Sequence, residues 1–351
     1  MPQRFDDDVY VGDNLRVVGA YANNAEIKST IDDTTTTLTV VSKEHQLLKG
    51  SGVMQWYDLG VATTYNETRS YNFYNATPQF VGIKNSNNSV WHRLPPRASC
   101  NCWLVDNSTA AGTWFSQVVE SNDPAYGLSR FMDFTGYIDG DNLYSDLGLI
   151  GVKNGTLAGN GYTSSVFAGR QGIMYSSTGT DVNGWALTYS QGTAYVGAGA
   201  RAYEVSQCLS DLSTVPEEFI ARFGVANGIA GGEHTIGSYF WYDRYNGGGA
   251  PRPNWLIRNI SGGGDVTVDT GVLPALVFQK LRVEFDDAGL RTDWFIDNAA
   301  VSPAGGLNTF LPPSVNTLRV ANQGITKSAG NTPGVIYYDN VRIQSYPTTL
   351  R

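Results

Sequence analysis

Charge is scarce in this chain. Lys, Arg, Asp and Glu make up 16% of its 351 residues, against about 25% in an average globular domain. The balance is lopsided as well: 24 basic residues face 32 acidic ones, a formal net charge of −8. No basic cluster stands out. Contact with phosphates needs clustered Lys and Arg, so nucleic acid is excluded as a partner. Long apolar runs are missing too. Nothing approaches the roughly 18 residues of a membrane span. The opening Met1-Pro-Gln-Arg-Phe-Asp-Asp-Asp8 has no apolar core of a signal peptide, so synthesis in a cytoplasm is expected.

Histidine and cysteine are also few. His45, His92 and His234 stand far apart in sequence, with no His or Cys at ligand spacing, and a zinc signature is therefore absent. The three Cys are Cys100, Cys102 and Cys208. An odd count argues against a disulfide framework. One intervening residue puts Cys100 and Cys102 on the same face of a strand, an awkward geometry for a bridge. Buried free thiols are the expectation. A nucleophile elbow and a phosphate-binding loop are both missing, and no catalytic residue is expected.

Glycine is abundant at 40 residues, and 20 Tyr help bring aromatics to 12%. Many Gly, Thr and Asn with few helix formers point to β-structure rich in turns. Residues 1–50 are polar and read as an attachment and oligomerisation arm with little core of its own. Leu38–Ser42 is a candidate strand there. Residues 51–118 carry strand signals about every ten residues, as a small β-barrel or sandwich does: Val53–Leu59, Ser70–Tyr74, Phe80–Lys84, Val90–Leu94 and Cys100–Val105. Residues 119–130 read as a linker. From 131 to 351, more than ten strand candidates alternate with Gly-rich connections, the size of a two-sheet jelly roll. Two near-matching strands close it, Thr292-Asp-Trp-Phe-Ile-Asp-Asn298 and Val335–Ile343. The fold class is all-β.

Three sites merit attention. Glu284, Asp286 and Asp287 gather at a strand end, where turn chemistry accounts for Asp286-Asp-Ala-Gly289. Tyr242, Asp243, Arg244, Tyr245, Asn246 and Trp255 combine rings, carboxylate and amide beside Gly247-Gly-Gly249. Such a set suits a sugar, because a ring covers its apolar face and polar groups take its hydroxyls. The glycan-binding candidates are Tyr242, Asp243, Tyr245, Asn246 and Trp255. Asp139-Gly-Asp-Asn142 is a turn with oxygen ligands suited to Ca²⁺; no other metal or cofactor is expected.

From Trp185 onward the chain resembles the concanavalin-A-like jelly roll of lectins, laminin-G-type modules and many virion proteins. The carrying residues are Phe219-Ile-Ala-Arg-Phe-Gly-Val225, Tyr239-Phe-Trp-Tyr-Asp-Arg-Tyr245, Leu281-Arg-Val-Glu-Phe285 and Trp294-Phe-Ile-Asp-Asn298. Glycoside hydrolases of that fold carry Glu-x-Asp-x-x-Glu on one strand. Here Glu284 and Asp286 match, but Gly289 stands where the second Glu belongs. Residues 50–115 resemble a small module of tailed-bacteriophage structural proteins, through Arg69-Ser-Tyr-Asn-Phe-Tyr-Asn75, Leu94-Pro-Pro-Arg-Ala-Ser-Cys100 and Trp103-Leu-Val-Asp-Asn107 to Trp114. Met1–Val9 is similar to the starts of phage head-decoration and fibre proteins.

The resemblance implies a non-enzymatic virion protein, a capsid decoration or head fibre, trimeric and attached to the major capsid protein. By the same token, Arg4, Phe5, Val9, Val11 and Leu15 are the attachment candidates. The alternative is a tail fibre or receptor-binding protein that grips host glycan; a glycoside hydrolase ranks behind both.

Overall fold

The structure, a computed structural model, describes residues 25–29, 34–50, 54–86, 90–119, 128–133, 149–163, 173–190, 193–194, 199–227, 234–245, 251–312 and 318–347. The chain divides into two compact units, Met1–Ser121 and Asn122–Arg351.

The first unit holds β1 (Ala25–Ser29), β2 (Thr35–Thr37), β3 (His45–Lys49), β4 (Gln55–Asp58), β5 (Ser70–Asn75), β6 (Val81–Lys84), β7 (Val90–Leu94), β8 (Ser99–Asp106) and β9 (Thr113–Val119). They form a five-stranded sheet, β1-β3-β5-β8-β9, and a four-stranded sheet, β2-β4-β6-β7. From β1 to β6 the chain alternates between the sheets, and each strand pairs in parallel with the one two before it. Parallel pairing requires a crossover, and here the strand in the opposite sheet supplies it. The result is a coil that β7, β8 and β9 close with antiparallel pairs.

An expected boundary at residue 50 is not found. Leu38 and Leu48 lie in one core with Tyr57, Tyr71, Phe73 and Ile83, so β1 to β3 are integral strands of the module and not a separate arm. The local pattern misleads because these strands are held by partners twenty or more residues away. The strand expected at Leu38–Ser42 is a turn, closed by the Ser42 amide donating to the Thr39 carbonyl. The Thr-rich residues just before it form β2. One close approach fixes the second sheet: Gly82 pairs with Trp56, and an added Cβ would lie 2.0 Å from that ring.

The second unit holds β10 (Leu128–Asp133), β11 (Leu149–Asn154), β12 (Gly159–Thr163), β13 (Ile173–Ser177), β14 (Trp185–Ser190), β15 (Thr193–Ala194), β16 (Gly199–Leu209), β17 (Phe219–Ala226), β18 (Gly237–Asp243), β19 (Leu256–Ser261), β20 (Gly264–Asp269), β21 (Gln279–Phe285), β22 (Thr292–Ile296), β23 (Ala299–Ala300), β24 (Leu318–Lys327) and β25 (Val335–Pro347). One sheet runs β12-β13-β25-β16-β21-β22-β23, with β10 on β25. The other runs β11-β14-β24-β17-β18-β19-β20, with β15 on β24. All these pairs are antiparallel. The inner faces share a core in which Phe223, Phe240 and Trp255 of one sheet meet Tyr203, Val283, Phe285 and Trp294 of the other. Phe240 and Trp294 meet edge to face at 5.0 Å.

The two similar closing segments differ in role. Asp297 and Asn298 both have positive φ, 50° and 66°, and turn β22 back into β23. Asn and Asp tolerate that left-handed backbone, which suits a tight hairpin. The matching Asp339-Asn340 sits inside β25 and makes no turn.

Candidate functional site

Alternate residues of β21 point to opposite faces. Leu281, Val283 and Phe285 enter the core; Arg282 and Glu284 lie on the other face. Register sets Glu204 beside both Arg282 and Arg342, and Ala202 beside Glu284 and Gln344. Arg282 is the hub. Its Nε donates to Glu284 Oε1 at 2.7 Å, and its Nη1 donates to Glu204 Oε2 at 3.3 Å and to Gln344 Oε1 at 2.9 Å. Gln344 Nε2 in turn donates to the Tyr346 hydroxyl. All five side chains are buried. Burial alone would lower the Arg282 pKa, but the Glu284 and Glu204 carboxylates hold it above its ordinary value. A general acid or base must reach its substrate. These carboxylates instead face a guanidinium, out of solvent.

Asp286 begins the tight turn expected of it. Its Oδ1 accepts the amides of Leu290 and Arg291, and its carbonyl accepts that of Gly289, which has φ 70°. Burial pushes the Asp286 carboxyl above its ordinary value.

The expected sugar platform is corrected by the structure. Tyr242 and Trp255 are 1% exposed and meet edge to face in the core. The Tyr242 hydroxyl accepts the Ser213 amide, and Trp255 Nε1 donates to Gln279 Oε1. Neither ring has a face to offer a ligand. The reason is that β18 is buried on both sides: Phe240 and Tyr242 enter the main core, while Tyr239 and Trp241 join a second cluster with Ala226 and Leu256. Asp243 is buried too, and Tyr245 is partly exposed beneath the Arg244 guanidinium. Asn246 and Gly247–Gly249 lie outside the described residues, as do Asp139–Asn142 and the attachment candidates Arg4, Phe5, Val9, Val11 and Leu15.

Among the described residues no group of three or more His, Cys, Asp or Glu could hold a metal ion. His92 bonds to Ser116 Oγ, and His234 packs on Tyr239. All three cysteines are buried and none is in a disulfide, with the Cys100 and Cys102 sulfurs 3.5 Å apart. A cleft of about 570 Å³ in the first unit is lined by Glu44, Asn66, Arg69 and Ser70 among others. Its polar groups engage one another or nearby groups: Ser70 Oγ donates to Glu44, and Arg69 stacks on Tyr71 and donates to the Ser42 carbonyl.

The surface that stands out is one the strand pattern did not flag. In β8, Cys100, Cys102 and Leu104 point into the core, as Trp114 and Val118 of β9 do. Four of the outward positions are apolar as well. Phe115 is 61% exposed, Val119 51% and Trp103 36%, and Val105 is exposed beside them. Trp103 and Phe115 are register partners, with ring centroids 5.6 Å apart. A second row crosses the sheet from Val119 through Ser99, Tyr74 and the buried Leu47 to the exposed Ile27. Strands apolar on both faces were the available signal.

No protein-family model matches the chain, and no curated protein matches it. Solved structures do. A protein of unknown function, SO2946 from Shewanella oneidensis MR-1, has 12% identity and a TM-score of 0.45, over 65% of this chain and 90% of its own. Peanut lectin follows with 13% identity and 0.42, over 64% of this chain and 100% of its own. A Bacillus licheniformis β-glucanase has 14% identity and 0.38, over 61% of this chain and 97% of its own. At such scores these likenesses carry no argument about activity. The chain is all-β, and its second unit is a sandwich of two antiparallel sheets, as its strand pattern led us to expect.

Proposed function

We propose that the chain is a non-catalytic structural protein of a bacteriophage particle, a capsid decoration or head fibre. In this reading the first unit makes the contacts that hold the chain in the assembly, with the major capsid protein among its partners, and the sandwich is displayed. The observation that carries it is the outward face of β8 and β9. Trp103, Val105, Phe115 and Val119 stand together in solvent there, and contiguous exposed apolar patches mark association surfaces. The resemblance of residues 50–115 to a phage structural module points the same way.

Two further observations support a structural role over a catalytic or sugar-gripping one. Glu204 and Glu284 are bound to Arg282, and the rings expected to stack on sugar are core residues. Host-glycan recognition by a tail fibre would therefore need a surface other than Tyr242 and Trp255. Antibody raised against residues 128–347 tests the placement by electron microscopy of intact particles. Labelling over the whole head is the expected result; labelling confined to the tail contradicts it.

A further inference from the structure

We infer that the β8–β9 face is an interface between copies of this chain. This names the partner of the assembly surface above and rests on that reading. Three observations single out a second copy. The first is charge. The chain carries a net −8, and chains of like charge repel one another. Yet the outward positions of β3, β5 and β9, and those of β8 before its terminal Asp106, hold no carboxylate. Copies of an acidic chain can meet here without opposing their own charge.

The second is the edge. β9 is the last strand of its sheet among the described residues. Its sequence, Thr113-Trp-Phe-Ser-Gln-Val-Val119, contains no charge, Pro or Gly. Proteins that must stay apart blunt such edges with Lys, Pro or a bulge.

The third is size. The exposed parts of Trp103, Val105, Phe115 and Val119 sum to on the order of 400 Å². That is half of the roughly 800 Å² per partner of a standard interface, and Asn101, Gln117 and their neighbours supply a polar rim.

Sedimentation velocity of the full chain from about 1 to 100 µM tests this. The wild type should sediment as an assembly larger than a monomer. Phe115→Asp, which places a carboxylate on the face of each copy, should weaken that assembly at least ~30-fold. Gln117→Glu, exposed and clear of the core, should weaken it in the same direction and guards against a folding defect in the first variant. Far-UV circular dichroism should match wild type for both. A wild type that is monomeric throughout, or folded variants that assemble as wild type does, would overturn the inference. A monomeric chain present at capsid-like copy number in particles would leave the proposed function standing. Self-association with only trace copies per particle would do the reverse.

Discussion

Arg282 Nε donates to Glu284 Oε1 at 2.7 Å, and the two residues are 3% and 4% exposed. Glu284 belongs to the Glu284-Phe-Asp286 stretch that resembles the first half of a glycoside-hydrolase motif. Arg282 also reaches Glu204 and Gln344, so the arrangement locks three strands together on one sheet face.

Glu284→Ala should therefore act on stability. Removing one partner of a buried pair leaves the other charge uncompensated, at a cost of about 3–5 kcal/mol, and Glu204 as second partner puts the expected loss at the low end of that range. Urea denaturation measures it. Glycosidase assays with the wild type should show no turnover for the substitution to remove.

Trp255→Ala should also be a stability variant. It empties a core position against Phe240 and Tyr242, and Trp-to-Ala changes in a core cost ~3–5 kcal/mol. Thermal denaturation checks this. A folded Trp255→Ala chain of wild-type stability would show that the ring is not in the core.

Two carboxylates should give opposite pH signatures. Glu217 accepts the Thr332 amide, which with help from the Asn331 amide and Lys327 holds its pKa below the ordinary value. Its contribution is present above the unfolded pKa of about 4.3 and is lost as pH falls through the folded one. Glu217→Gln should lower the melting temperature at pH 7 and match wild type at about pH 2. Burial raises the Asp286 pKa, so folding disfavours its ionised form. That form dominates once pH has risen through the folded pKa. Asp286→Asn, which can still accept the Leu290 and Arg291 amides, should raise the melting temperature at pH 7 and match wild type at about pH 2. Melting curves across pH read both signs.

The thiols should be silent in the folded chain. A hydrogen bond with Cys100, together with burial, pushes the Cys102 pKa well up, and the thiolate is the reactive form. Iodoacetamide at pH 8 should label Cys100, Cys102 and Cys208 only after unfolding, as read by mass spectrometry. Rapid labelling of Cys102 in the native chain would contradict the structure.

Much of the sandwich was legible from alternation. Phe219-Ile-Ala-Arg-Phe223 and Leu281-Arg-Val-Glu-Phe285 place their core residues where period two puts them. Alternation misleads where a strand is buried on both faces. In β18 it does not separate core from rim, so Tyr242 reads as a surface ring. It misleads again where pairing is non-local: nothing local in Thr35-Thr-Thr37 announces that it lies beside Trp56-Tyr-Asp58. The β9 strand went unrecognised although Trp114, Phe115, Val118 and Val119 mark both its faces. Glu284 was visible, and so was Arg282 two residues before it on the same face of β21, whereas the closure of Glu204 and Gln344 on the same guanidinium depends on β16 and β25.

The central claim is that this chain is a displayed, multicopy component of a particle. Copy number per virion tests it most directly, by quantitative mass spectrometry normalised to the major capsid protein. The account predicts scores to hundreds of copies, a ratio comparable to the capsid protein. A handful of copies per particle would contradict it, move the chain to the tail, and turn the search for its partner toward the host surface.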